Sequence, residues 1–160
     1  MLRIVPALSE GAITQSRNLF REYASTLGVE VCLGDFEREL ASLPGQYAPP
    51  GGRLLLAIQE SSGNPGEAIG CAALRRMEED ACEMKRLYAR PAFRGKGAGR
   101  VLVEKLIAEA RSIGYRRMVL DTLPSMENAH KLYRALGFRE IPSYQKNPIP
   151  GALFFELLLH

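Results

Sequence analysis

The sequence has little that would tie it to disulfides, metals or membranes. Its three cysteines, Cys32, Cys71 and Cys82, are an odd number and show neither CxxC nor Cys/His ligand spacing. Neither a disulfide framework nor a metal site is expected. Cys71 and Cys82 stand in apolar runs, where cysteine behaves as a small hydrophobe, so buried reduced thiols are expected there. No positive flank precedes an apolar core at the N-terminus, and no apolar run approaches the roughly 20 residues needed to cross a bilayer. A cytoplasmic protein without a membrane partner is the expectation. Charge of one sign is scarce too: 21 Lys and Arg against 18 Asp and Glu leave +3. With the two signs intermixed, a nucleic-acid partner is not expected. No internal repeat or low-complexity tract occurs. What remains is an ordinary composition, 46% apolar and 24% charged over 160 residues, which suits one domain, 1–160, with a sizeable core.

The chain is organised around Arg94-Gly95-Lys96-Gly97-Ala98-Gly99-Arg100. Glycines at alternate positions let the backbone take φ > 0 and approach a ligand closely. Two arginines and a lysine interleave with them. A helix starting near Ala98 would aim its unpaired N–H groups and positive dipole end into this loop, which favours a phosphate. The alternative is a tight basic turn with no ligand.

The flanking pattern predicts a mixed sheet. Leu2 to Leu8 reads as a strand and Ser9 as the N-cap of a helix from Glu10 to Leu27, with Gly28 at its C′ position. A shorter helix is expected from Asp35 until Pro44, and Gln46 to Gly52 as a turn-rich loop. Arg53 to Gln59, Glu67 to Arg75 and Ala81 to Ala89 are strand-like runs joined by turns at Ser62 to Gly66 and Glu78 to Asp80, an antiparallel meander. Val101, Leu102, Leu106, Ala110 and Ile113 trace one helix face, closed by Gly114. Arg117 to Asp121 reads as a buried strand, parallel to Ala81–Ala89 because a helix crosses between them. A helix from about Ser125 to Leu136 and strands Phe138 to Ile141 and Ala152 to Leu159 complete the order β α α β β β α β α β β.

Gly95-x-Gly97-x-Gly99 is not a dinucleotide fingerprint. Its third glycine is one position early, and only one βαβ crossover is visible, although Asp121 ends the next strand roughly where a ribose-binding acid would fall. No Gly-Lys-Ser/Thr follows the spacer of a Walker loop. Arg94-Gly95-Lys96-Gly97-Ala98-Gly99 instead resembles the Arg/Gln-x-x-Gly-x-Gly/Ala motif of the GNAT superfamily of N-acetyltransferases. Leu87-Tyr88-Ala89-Arg90-Pro91 is similar to that family's strand-to-loop lead-in, and Ala129 to Phe138 to its later helix and Gly-Phe ending. The element order agrees from end to end.

The resemblance implies an α/β (α+β) mixed, mostly antiparallel sheet with a central splayed parallel pair and about four helices. It implies acetyl transfer from acetyl-CoA, a cosubstrate, to a primary amine by direct attack in a ternary complex, with no metal. Arg94, Gly95, Lys96, Gly97, Ala98, Gly99 and Arg100 would bind the CoA pyrophosphate, and Leu87, Tyr88 and Ala89 would give main-chain contacts to pantetheine, one N–H near Leu87 polarising the thioester carbonyl. Tyr133 matches the family's general-acid tyrosine; its other reading is a core aromatic. Glu83 stands at the offset of the general-base glutamate in the histone-acetylating branch; its other reading is a strand residue paired with Lys85 or Arg75. The family's asparagine seven residues before the tyrosine is here Met126, so Asn128 either replaces it or is a helix N3 residue under a Ser125 cap. His130 is expected at the surface. The acceptor side would hold Tyr23, Asp35, Glu37, Tyr47, Tyr144 and Asn147, for a small-molecule amine or a peptide. Two other readings stay open: a non-catalytic CoA-binding or regulatory module of the same fold, and a homodimer.

Overall fold

The computed structural model describes residues 2–27, 33–61, 64–146 and 148–159. Gly28, Cys32, Ser62, Gly63 and Asn147, named above, lie outside the described residues. Seven strands form one sheet: β1 (Leu2–Pro6), β2 (Arg53–Ser61), β3 (Asn64–Arg76), β4 (Ala81–Ala89), β5 (Arg117–Thr122), β6 (Arg139–Ile141) and β7 (Leu153–Leu158), in the order β1-β2-β3-β4-β5-β7-β6. Only β4 and β5 pair in parallel; every other neighbouring pair is antiparallel. The helices are α1 (Glu10–Thr26), α2 (Leu33–Ser42), α3 (Ala98–Ile113) and α4 (Glu127–Ala135). The element order along the chain and the parallel pair are those that the sequence pattern predicts.

Both faces of the sheet are covered. Along β2, Leu55 and Ala57 join a core with Leu102, Leu106 and Ala110 of α3, while Leu54, Leu56 and Ile58 join one with Leu19 and Phe20 of α1 and Leu40 of α2. This is the period-2 alternation of a strand buried on both sides. The Ser9 cap forms as expected, its hydroxyl accepting from the Ala12 N–H at 3.1 Å, a contact worth about 1 kcal/mol. Gly114 closes α3 at φ 109.

Two expectations about α4 need correcting. It begins at Glu127 with Met126 as a cap whose side chain makes no capping bond, because a turn in which the Met126 N–H donates to the Leu123 carbonyl at 3.0 Å takes up Ser125. His130 is not at the surface: it is 6% exposed, with Nε2 3.2 Å from the Thr122 hydroxyl. The i, i+3 relation explains this, since His130 shares the inward face of α4 with Tyr133.

Cys71 and Cys82 are buried free thiols. Burial pushes Cys82 up to about 12, and Cys71 upward as well. An unfolded thiol titrates near ~8.5, so above that pH the unfolded chain loses protons that the folded one keeps. The stabilisation is complete below the unfolded pKa and is lost as pH rises toward the folded one. Between pH 7.5 and 9.5 the guanidinium midpoint should fall, by about 1.4 kcal/mol of stability per thiol. A Cys71→Ala/Cys82→Ala variant should show a flatter dependence.

Candidate active site

The site begins where the parallel ladder stops. β4 and β5 are in register only at Ala81–Arg117, Cys82–Met118 and Glu83–Val119, although the strands continue to Ala89 and Thr122. On its other side, β4 carries a bulge: Lys85 pairs with Ala73 and Tyr88 with Cys71, so three steps on β4 match two on β3. The extra residue falls at Arg86 and Leu87, and Arg86 has φ 62. A non-glycine residue there costs about 1–2 kcal/mol. Bonds on both sides offset the cost: Nε and Nη2 of Arg86 each donate to the Glu39 carboxylate of α2 at 2.9 Å, and the Cys71 thiol donates to the Arg86 carbonyl at 3.3 Å. A bulge bends its strand, and this one lies just beyond Glu83, where pairing with β5 ends.

Between the parted strands lies a cavity of about 290 Å³. Met84, Leu87, Leu120, Met126 and Tyr133 give it an apolar wall, and Lys85, Arg86 and Asp121 contribute charge. Tyr133 is 5% exposed, its ring 5.6 Å from Phe138 and 5.9 Å from Phe155. Burial pushes its phenol well above the ordinary value, with the Tyr23 phenol and the Asp121 charge adding to the effect. Among the described residues its hydroxyl has no hydrogen-bond partner. A phenol kept protonated by burial therefore lines the cavity without an acceptor among the described residues.

The glycine loop closes one end of β4. After the turn Pro91–Phe93, Gly95 and Gly97 take φ 80 and 84, and Gly97 caps α3 without a side-chain bond. The first-turn N–H groups of α3 lack intrahelical partners, and the positive end of the helix dipole lies with them. Arg94, Lys96 and Arg100 are exposed around this point. Arg94 Nε donates to the Ala89 carbonyl at 3.1 Å, fixing the loop to the end of β4. Ala98 is buried in the α3 core, so what it can offer a ligand is its main chain.

An opened parallel pair next to a basic, glycine-capped helix start is the arrangement that the sequence resemblance implied. Residues 17–138 match the Acetyltransferase (GNAT) family. The chain belongs to the GNAT acetyltransferase family. An uncharacterised N-acetyltransferase of Schizosaccharomyces pombe is 38% identical over 140 residues, covering 87% of this chain and 83% of that protein. In fold, a GNAT acetyltransferase from Staphylococcus aureus matches with a TM-score of 0.83 at 18% identity, over 100% of both chains. A putative acetyltransferase from Salmonella typhimurium, solved with its cofactor acetyl-CoA, matches with a TM-score of 0.74 at 20% identity, over 100% of this chain and 95% of that one. As a GNAT protein, the chain is an enzyme of the acetyl-CoA-dependent N-acetyltransferase class.

Within this GNAT domain, the residues singled out from the sequence separate. Leu87 and Tyr133 line the cavity. Tyr88 turns to the other face, its hydroxyl donating to Glu22 of α1 at 3.3 Å, and Asn128 is exposed while Met126 lines the cavity. Glu83 is fully buried and does not line the cavity. Arg75 Nε donates to its Oε1 at 2.7 Å and the Tyr144 hydroxyl to its Oε2 at 2.6 Å. Of the expected acceptor-side residues, Tyr23 reaches the cavity; Asp35 and Tyr47 line a separate hollow of about 570 Å³ beside α2. Sequence reading missed Arg86 and Lys85 as features of the site, and placed Met126 there only as the residue standing where the family has its asparagine. No residue type announces a bulge at a non-glycine position, so Arg86 gave no signal; Lys85 could have been found by its period-2 relation to Glu83.

Proposed function

We propose that the protein transfers the acetyl group of acetyl-CoA to the primary amine of a small molecule, with donor and acceptor bound together. The observation that carries this reading is Tyr133, its hydroxyl without a partner among the described residues, in a cavity between unpaired stretches of β4 and β5, with the glycine-capped start of α3 following β4 along the chain. The thioester of acetyl-CoA supplies an activated acyl group. The main-chain N–H groups from Gly95 to Arg100 hold the pyrophosphate, with Arg94, Lys96 and Arg100 adding charge. Leu87, Tyr88 and Ala89 offer main chain to pantetheine as a neighbouring strand would. The N–H at Leu87, on the bulge, stabilises charge developing on the thioester oxygen. Tyr133 gives its proton to the departing sulfur, a role its raised pKa permits because the phenol stays protonated through alkaline pH.

Glu83 takes a different part from that of a base in contact with the amine. Holding Arg75 and Tyr144 together, it fixes the loop after β6 against the sheet beside the acceptor. Asn128 is left out, and Met126 gives an apolar contact in place of the family's amide. The buried thiols support a reducing, cytoplasmic setting.

The reading is tested by calorimetric titration with acetyl-CoA, followed by thiol release across a panel of amines, amino acids, polyamines and peptides. Micromolar binding and acceptor-dependent release are expected. Binding without release would favour a non-catalytic CoA-binding module, and no binding up to millimolar acetyl-CoA would overturn both.

A further inference from the structure

The acetyltransferase reading leaves the charged lining of the cavity without a role. Arg86 is satisfied twice over by Glu39. Lys85 and Asp121 have only each other among the described residues, and their single contact, at 3.6 Å, is longer than a hydrogen bond. The two side chains are 20% and 27% exposed. An ammonium has three donors and a carboxylate about four acceptor sites, so most of this pair's capacity is unused and faces the cavity.

Their position relates them to the chemistry. Leu120 belongs to the core under α3 and α4, so by strand alternation Asp121 projects from the opposite face, that of α1 and α2. There Lys85 meets it. Tyr133 rises from the α4 side. A nucleophile held by Asp121 and a leaving group protonated by Tyr133 therefore reach the gap between β4 and β5 from opposite faces.

We propose, resting on the acetyltransferase reading, that Lys85 and Asp121 select a zwitterionic acceptor of the free α-amino acid class, Asp121 holding the ammonium and Lys85 the carboxylate. Charge balance makes the choice. A plain amine cation bound at Asp121 would draw it from Lys85 and leave the lysine uncompensated in a partly buried cavity, which is costly. A zwitterion gives each side chain a counter-charge, and one long ion pair becomes a ring of four alternating charges. The close spacing of Lys85 and Asp121 suits an acceptor whose ammonium and carboxylate are separated by one carbon. A peptide N-terminus lacks that carboxylate. The phenols of Tyr23, Tyr133 and Tyr144, all raised first by burial, are each raised further by the Asp121 charge, which places that charge among the groups around the acceptor.

In the reaction the ammonium releases a proton to water, the amine nitrogen bonds to the acetyl carbon, and the carbon–sulfur bond breaks. The thiolate takes the Tyr133 proton, and the second proton leaving the nitrogen restores the phenol, so that one proton in all passes to water. Asp121 orients the amine throughout.

The test is steady-state kinetics with acetyl-CoA and small α-amino acids, each beside its amide, its decarboxylated amine and a dipeptide. Wild type should favour the amino acid over its amide by about tenfold or more in kcat/KM. Lys85→Met should lower that ratio about tenfold through KM, Lys85→Arg should restore part of it, and Asp121→Asn should raise KM for amino acid and amide alike. Equal or better turnover of amides or dipeptides by wild type would overturn the zwitterion proposal. So would a Lys85→Met variant that loses activity on both substrates equally. Either result would stand beside measurable acetyl-CoA binding and so leave the acetyltransferase reading intact. Absence of acetyl-CoA binding and of any turnover would overturn the two together.

Discussion

Tyr133→Phe should lower kcat about a hundredfold or more, the usual contribution of a positioned general acid, while leaving the Kd for acetyl-CoA within about twofold. The substitution removes one atom. That hydroxyl has no protein partner among the described residues, so its loss leaves no buried group unsatisfied, and the ring keeps its contacts with Phe138 and Phe155. Stability should therefore change by less than about 1 kcal/mol. The alkaline limb of the pH–rate profile should not contain a phenol of ordinary pKa, because burial holds Tyr133 protonated well above it. Stopped-flow or coupled thiol detection gives the rate, and calorimetry the affinity. An unchanged kcat would take Tyr133 out of the mechanism and leave it as a core aromatic.

Phe155→Ala should cost about 3–5 kcal/mol, the range for removing a buried phenyl group. Phe155 is completely buried on β7, with His130 and Tyr133 of α4 both 5.9 Å from its ring and the Arg134 guanidinium 5.3 Å away. It joins the last antiparallel ladder to the helix that carries Tyr133. Guanidinium unfolding should show the full loss, and kcat should fall under conditions in which the variant stays folded, because Tyr133 then lacks the ring beside it at 5.9 Å. Phe155→Leu should lose much less of both. A stability loss below about 1 kcal/mol would show that α4 does not depend on this ring.

Most of the fold was readable because alternation and helix periodicity are strong in this chain. Leu54 to Ile58 alternate between two cores, and Ser9, Gly97 and Gly114 mark helix ends by chemistry that needs no tertiary context. The ends of α4 were harder. Ser125 has the side chain of a cap, but the turn from Leu123 to Met126 competes for it, and a helix wheel centred on Tyr133 would have put His130 inside. In the site, motif residues were legible where the backbone does the work, as at Gly95 and Gly97. Residues acting through partners far along the chain were not: the contact between Glu83 and Tyr144 spans 61 positions, and that between Arg86 and Glu39 spans 47. Neither partner was marked by local pattern.

The parting of β4 and β5 also bears on how the folded chain avoids its own kind. Unpaired strand edges are where proteins add foreign strands and aggregate. The outer edges here are short, β1 with 5 residues and β6 with 3. Two further edges, Met84 to Ala89 and Leu120 to Thr122, are unpaired toward each other inside the sheet. They diverge from the last rung at Glu83 and Val119, where the separation is a single ladder spacing of about 4.8 Å. A polypeptide strand with side chains needs a full spacing on each side and cannot enter near that rung, whereas a slender chain with a few amides can. In the acetyltransferase mode proposed above, the sheet thus keeps an adhesive edge for acetyl-CoA and withholds it from other proteins.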